Sequence, residues 1–469
     1  MKKMIIAVAT LAAAILVLGL FRVIRQENSP KETERKNEET ERKGEETERK
    51  NEETERKNEE TDSKNEETDS KNEEAKETVP TYQVLKTPNM KGLWLSQFDM
   101  EKIYTDAATG RQRSIKDFEA RVEGILDNVV SLGVNTLVVQ TRPFGDSLYP
   151  SDVYPMSSFA VGAYGRQADY DAFAIILRQA HARSLAVHAW INPLRAMKTE
   201  EIALVEDRYA IKQWYKDEAL RGRILVEVGG RLYLNPAYEE TTQLICAGVS
   251  ELLQRYDVDG IHMDDYFYPT TEASFDAEAY AAYRRDGGTR TLAEFRRENV
   301  TRMVKAIYDT VKKEKPEVPF GISPAGVMKN NYNKLYADVG TWCSGPGYVD
   351  YICPQVYFGL EHDTYAFDRV CRTFSDLIGE GGPSLIIGMT LGKAVSEYDP
   401  YAGSGKYEWR DHKNVLSRSL AFTQSIEKCR GVCLFCYQYL FDPLTGKPVE
   451  ATAEEMRTFL PLFRSITWE

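Results

Sequence analysis

The segment DGIHMDDYFYP, Asp259–Pro269, gathers three acids, one histidine and three aromatic rings into eleven positions. Two of the acids, Asp264 and Asp265, are adjacent. Hydrolysis by acid/base chemistry normally needs two carboxyls, one giving a proton and one acting as base or nucleophile. Adjacency and burial raise the pKa of one member of such a pair, which suits it to hold a proton. If the segment is a strand, alternation sends His262, Asp264 and Tyr266 to one face and Asp265 to the other. Asp264 is then the central acid, and Asp265, at the strand's end, can still turn into a cleft. The blander reading is that one of them only orients His262 or a backbone turn.

Other apolar runs in the chain also end in polar and aromatic residues. GLWLSQFD brings Trp94, Gln97 and Asp99; NTLVVQTRP brings Gln140 and Arg142, with Asp146 beyond; LAVHAWINP brings His188, Trp190 and Asn192, followed by Arg195. Later runs reach Ser323, then Gln355 and Tyr357, then Lys393, and finally Tyr437, Gln438 and Tyr439. Amides and carboxylates are what sugar hydroxyls need, and aromatic rings are what sugar faces stack on. The candidate binding set is therefore Trp94, Gln97, Arg142, His188, Trp190, Asn192, His262, Tyr266, Gln355, Tyr357, Tyr437 and Gln438. The candidate catalytic set is Asp264 and Asp265, with Asp99 as the best other acid. Asp146, Glu361 and Asp363 stand behind Asp99. A single carboxylate beside a substrate acetamido group is the alternative to a second carboxyl.

These residues need a scaffold that brings many strand ends together. From about Val79 the chain alternates short apolar runs with amphipathic patterns, the signature of βα units. Eight such units over residues 80–469 predict a (β/α)8 TIM-type barrel with elaborated loops, whose functional residues lie where strands end. Strands are expected at Gly92–Asp99, Asn135–Pro143, Leu185–Pro193, around Val258–Tyr266, Pro319–Gly326, Val349–Gly359, Ser384–Gly392 and Gly431–Tyr439. A helical stretch over 276–314 should break at Gly287 and Gly288. A doubly wound open sheet usually carries a Gly-rich turn after its first strand, and GLWLSQFDM has none.

The regions before the barrel are of a different kind. Residues 1–26 hold MIIAVATLAAAILVLGLF, Met4–Phe21, an apolar run just long enough for a membrane span. It reads as an uncleaved signal anchor, placing the body outside the cell membrane; secretion after cleavage is the alternative. Residues 27–79 form a charged spacer of heptads such as TERKNEE. No heptad position is apolar, so there is no coiled-coil seam. Glu-to-Arg and Glu-to-Lys pairs four apart favour a helix, while Thr and Asn in each repeat oppose it. A frayed helix and an extended linker serve equally as a spacer. The chain's net charge is −12, with +4 on residues 1–26, −9 on residues 27–79 and −7 on the remainder. That distribution argues against a nucleic-acid surface, which needs clustered positive charge.

The seven cysteines are odd in number and do not read as a disulfide framework. On a strand, Cys433 and Cys436 would face opposite ways and share no metal. A metal hydrolase built on His262, Asp264 and Asp265 would have one local histidine only. No metal and no cofactor are expected.

The motifs GLWLSQFD, LAVHAWINPLRA, LYLNPAYEE, VDGIHMDDYFYP, GISPAG and ICPQVYFG, in this order over residues 88 to 465, resemble the glycosyl-hydrolase-like family 10. The resemblance implies a (β/α)8 barrel, export to the bacterial envelope, and glycosidase activity on a bacterial polysaccharide such as the glycan strands of peptidoglycan. A non-catalytic barrel that binds carbohydrate would use the same aromatic and amide residues and is the alternative.

Overall fold

The computed structural model describes residues 82–469. The expected anchor and the heptad spacer lie outside these described residues. Among the described residues no helix is long and apolar enough to cross a membrane.

Eight parallel strands close into a barrel: β1 Met90–Leu95, β2 Thr136–Arg142, β3 Ala186–Ile191, β4 Gly260–Met263, β5 Phe320–Ile322, β6 Tyr351–Ile352, β7 Ser384–Thr390 and β8 Cys429–Phe435. Each pairs with its chain neighbours, and β1 pairs with β8 through Met90 opposite Gly431 to close the ring. The strands are apolar runs because a parallel strand in a barrel is covered on both faces; every residue of β2, β3 and β4 is buried.

Helices form the outer layer. They include α1 Gln97–Tyr104, α2 Ile115–Leu132, α3 Ala172–His181, α4 Glu239–Arg255, α5 Ala277–Arg285, α6 Leu292–Glu314, α7 Phe367–Leu377, α8 Val415–Thr423 and α9 Ala453–Ser465. Their starts follow local chemistry. Ser114 caps α2, and Thr291 with Glu294 forms a capping box on α6. The break between α5 and α6 falls at Gly287 and Gly288, as the sequence predicts. The long connection from β3 to β4 carries a small antiparallel sheet, with Arg231–Leu234 between Arg195–Lys198 and Leu225–Val228. It holds Arg195 near the barrel mouth.

Two apolar clusters result. The larger lies between strands and helices; the smaller fills the barrel with Met90, Trp94, Trp190, Tyr351, Cys353, Cys433 and Cys436 among others. Two glycines make room inside it. A Cβ on Gly260 would collide with the His188 ring, and one on Gly321 with the Tyr351 ring. All seven cysteines are free thiols. Cys433 and Cys436 do not share a strand, since β8 ends at Phe435, and both join the interior cluster.

The first strand is shorter than expected. It stops at Leu95, and residues 97–104 are helical. Ser96 and Asp99 form a capping box there, so SQFD is a helix start and not a strand end.

Candidate active site

A cleft of about 240 Å³ opens at the strand ends. That is below the ~300–1,000 Å³ usual for whole-ligand pockets, so the enclosed part suits one ring-sized group of a longer chain. Its walls include Trp94, Gln97, Trp190, Asp264, Asp265, Tyr266, Gln355 and Tyr357 from the expected set, together with Ser96, Phe98, Gln140, Arg195, Ser323 and Phe435.

The carboxyl pair follows directly on β4. Because the strand ends at Met263, its alternation does not continue, and Asp264 and Asp265 both line the cleft. Asp264 is almost fully buried and Asp265 half-buried. Burial, and then the charge of Asp265, raise Asp264 well above the usual carboxylate range; the Tyr266 N–H, Arg195 and Asn192 oppose this only in part. Burial raises Asp265 too, with the Gln355 side chain opposing. Two such neighbours resist being ionised together.

A relay of amides fixes Asp264. The Asn192 amide donates to its Oδ2 at 2.7 Å, and the Tyr266 N–H approaches Oδ1 at 3.2 Å. The Gln140 amide donates to Asn192 Oδ1 at 2.9 Å, and Gln140 Oε1 accepts from the Gln97 N–H at 2.8 Å. Four elements thereby orient one carboxyl. Asn192 bonds Asp264 but is fully buried and does not line the cleft, so it is a positioning residue and not the substrate contact expected.

Arg195 supplies positive charge. Its guanidinium lies 4.4 Å from the Tyr266 ring centroid and 4.6 Å from that of Phe144, a cation–π sandwich. Across the cleft, Tyr357 stacks on Phe435 at 5.7 Å, and Trp94 meets Phe435 edge-on at 6.0 Å. These rings make an apolar wall opposite the carboxyls.

Several expected site residues lie elsewhere. His188 and His262 sit in the layer beneath the cleft. Tyr351 Oη lies 2.9 Å from the Nδ1 of each, and Trp94 Nε1–H donates to His262 Nε2 at 3.3 Å. The arrangement consistent with these three contacts has His262 donating to Tyr351 and Tyr351 donating to His188. Both rings are therefore neutral, and burial pushes His188 down to about 4 and His262 well below its ordinary value. Arg142 is buried under β3, donating to the Asn192 carbonyl at 2.9 Å and to the Tyr154 hydroxyl. Tyr437 is buried against Phe441 and accepts from Asn128 on α2. Gln438 directs its amide at Cys436 Sγ, 3.5 Å away. The chain leaves β8 at Phe435 and turns into a short 3-10 helix over Tyr437–Tyr439, which takes both residues away from the cleft.

Asp99, expected as the second acid, does not line the cleft. Its Oδ2 accepts from the Ser96 N–H at 2.6 Å and the Ser96 hydroxyl at 2.7 Å, and its Oδ1 from the Gln438 N–H at 2.7 Å. Burial still lifts it to about 6. Asp146 is likewise occupied, by the Phe144 N–H and the Tyr164 hydroxyl.

Gln140, Arg195 and Ser323 stand at strand ends in the sequence but fall outside the expected binding and catalytic sets. Phe98 and Phe435 carried no signal, since an apolar residue at a strand end reads as core. Among the described residues, no group of three or more His, Cys, Asp or Glu side chains is arranged to hold a metal ion.

The Glycosyl hydrolase-like 10 family profile matches residues 89–399. Glycosyl hydrolase YngK of Bacillus subtilis (strain 168) is 30% identical over 364 residues, which span 73% of this chain and 67% of that protein. Glycosyl hydrolase DigH of Escherichia coli (strain K12) is 30% identical over 386 residues, 77% of this chain and 85% of its own length. Among solved structures, the PgaB (BpsB) glycoside hydrolase domain from Bordetella bronchiseptica aligns with a TM-score of 0.51 at 13% identity, covering 79% of this chain and 98% of that one. At that identity the likeness shows a shared fold.

Proposed function

The chain belongs to the Glycosyl hydrolase-like 10 family, and from that premise we propose that it hydrolyses the glycan strands of bacterial peptidoglycan by carboxyl acid/base catalysis. One observation carries the reading. Asp264, buried, and Asp265, half-buried, leave the end of β4 side by side in an aromatic cleft, and both pKa values are raised. A barrel that only bound sugar would gain nothing from a carboxyl kept protonated by desolvation and a like charge. Asp264 is the acid, held by Asn192 and by Gln140 behind it. The rings of Trp94, Tyr357, Phe435 and Tyr266 receive sugar faces. We further propose that the apolar run Met4–Phe21 anchors the chain in the cell membrane and that the charged heptads hold the barrel off it, on the outer side, where the wall lies.

The test is direct. Full-length protein is incubated with purified glycan strands, and new reducing ends are counted. Wild type should release them, and Asp264→Asn should not. Binding by wild type without any release makes the protein a carbohydrate-binding barrel. Protease treatment of intact cells should remove the barrel if it lies outside; its survival there places it on the other side of the membrane.

A further inference from the structure

A glycosidase that uses two carboxyls of its own sets them on either side of the scissile bond, about 5–5.5 Å apart for retention and about 6.5–9.5 Å for inversion. This cleft is built otherwise. Its two carboxyls occupy consecutive positions at the end of one strand. β8, diametrically across the closed order from β4, presents Phe435, and its neighbour β1 presents Trp94. Among the described residues no third carboxylate lines the cleft. Asp99 commits both oxygens to Ser96 and Gln438.

The cleft does hold unanswered polar groups. Trp190 Nε1, the Ser323 hydroxyl and the Gln97 side-chain oxygen are buried without a partner among the described residues. All three residues line the cleft and are more than nine-tenths buried. A buried polar atom without a partner is costly, and a ligand group that answers it gains correspondingly. Two donors and one acceptor beside aromatic rings offer partners to the carbonyl and N–H of an acetamido-bearing sugar. An acetamido carbonyl accepts, its N–H donates, and its methyl packs on the rings. A sugar hydroxyl has no apolar end to place there.

We infer that the sugar bound at Asp264 carries a 2-acetamido group, and that the carbonyl oxygen of this group, not an enzyme carboxylate, attacks the anomeric carbon. The inference rests on the glycosidase reading and names its substrate class and nucleophile. In the first step the bond from the anomeric carbon to the glycosidic oxygen breaks. Asp264 gives its proton to the departing oxygen, while the acetamido oxygen bonds to the anomeric carbon from the opposite face. The oxazolinium ring so formed is positive towards its N–H, and the Asp265 carboxylate offsets that charge. In the second step water attacks the anomeric carbon and gives a proton to Asp264. The ring's carbon–oxygen bond breaks and the acetamide is restored. The anomeric configuration is retained, and no bond to the enzyme forms.

The experiment compares N-acetylated glycan strands with the same strands after chemical N-deacetylation, using full-length protein. The first product's anomer is read by proton NMR. The N-acetylated strands should be cut with retention, and the deacetylated strands slower by about 100-fold or more, since the internal nucleophile is gone. An inverted product, a covalent glycosyl-enzyme detected by mass spectrometry, or equal rates on both polymers overturns the inference and leaves the glycosidase reading standing. Failure to cut either polymer overturns that reading, and this inference with it. The Asp265→Asn variant adds a second readout: a slower rate with the product anomer unchanged supports the inference, and a wild-type rate refutes the role given to Asp265.

Discussion

The two ends of strand β4 carry buried aspartates with opposite electrostatics. Asp259, just before the strand at the barrel floor, accepts from the Tyr82 hydroxyl at 2.6 Å, the Leu85 N–H at 2.7 Å and the Val187 N–H at 2.8 Å, and His181 Nε2 lies 2.9 Å away. Burial alone would raise its pKa, but the hydrogen bonds from His181, Tyr82, Val187 and Leu85 together hold it below the usual value. Asp264, just after the strand at the mouth, is as deeply buried, has fewer donors and faces a like charge, so it is raised. Burial pushes both upward, and between these two the supply of donors and the neighbouring charge of Asp265 decide the direction. The floor spends its donors on holding the barrel shut, and the mouth withholds them so that a proton stays available.

The largest expected effect is at the mouth. Asp264→Asn should lower kcat by about 10²- to 10⁴-fold, the usual worth of a positioned general acid. Its Tm should hold or rise, because a neutral amide removes the cost of ionising a buried carboxyl beside Asp265. The pH dependence carries the sign. A carboxyl raised on folding adds stability fully below its unfolded pKa, near 4, and loses it as pH rises through the folded value. The variant's stability advantage should therefore vanish in acid. A fall in Tm comparable to that at the floor would break the comparison.

At the floor, Asp259→Ala should cost about 3–5 kcal/mol by leaving several buried donors without an acceptor. The activity of the molecules that remain folded should change little. Here the pH sign reverses. A depressed carboxyl adds stability above its unfolded pKa and loses it as pH falls through the folded one. Denaturant titrations of both variants and wild type from acid to neutral pH should show slopes of opposite sign.

Asp99 sharpens the contrast, since it lies near the mouth yet is bonded like a floor residue. Asp99→Ala should cost about 1–2 kcal/mol through the lost α1 cap and lower kcat by less than about tenfold, below the worth of a general acid. A collapse in rate equal to that of Asp264→Asn would make Asp99 the second catalytic carboxyl after all.

All eight strands were legible in the sequence because doubly covered strands are apolar runs, and that pattern survives without neighbours. What period cannot give is height. His188, His262 and Arg142 follow the strand pattern of residues that reach the cleft, but they lie one layer beneath it, where Tyr351 and the Asn192 carbonyl receive them. Strand ends were misread where a polar cluster had a local use. SQFD reads as a strand end because a capping box and a catalytic rim draw on the same residue types. Tyr437 and Gln438 were lost to a turn after β8 that no residue pattern announced. The place of Asp264 and Asp265 in the cleft was legible because they follow directly on an apolar run.

The smallest effect tests whether the mouth withholds partners by design. The Trp190 indole N–H is buried in the cleft wall without a partner among the described residues. Trp190→Phe keeps an aromatic wall and deletes that donor. In the free protein, removing a buried unanswered group should leave Tm unchanged or slightly raised. With substrate, the lost hydrogen bond should raise KM by about 3- to 10-fold, corresponding to about 1 kcal/mol, and shift kcat as well, because the acetamido oxygen it answers is also the attacking atom. A lower Tm with an unchanged KM would mean that the indole serves the fold. The donor-poor mouth would then be a packing outcome, and the contrast between the two ends of β4 would rest on Asp264 and Asp265 alone.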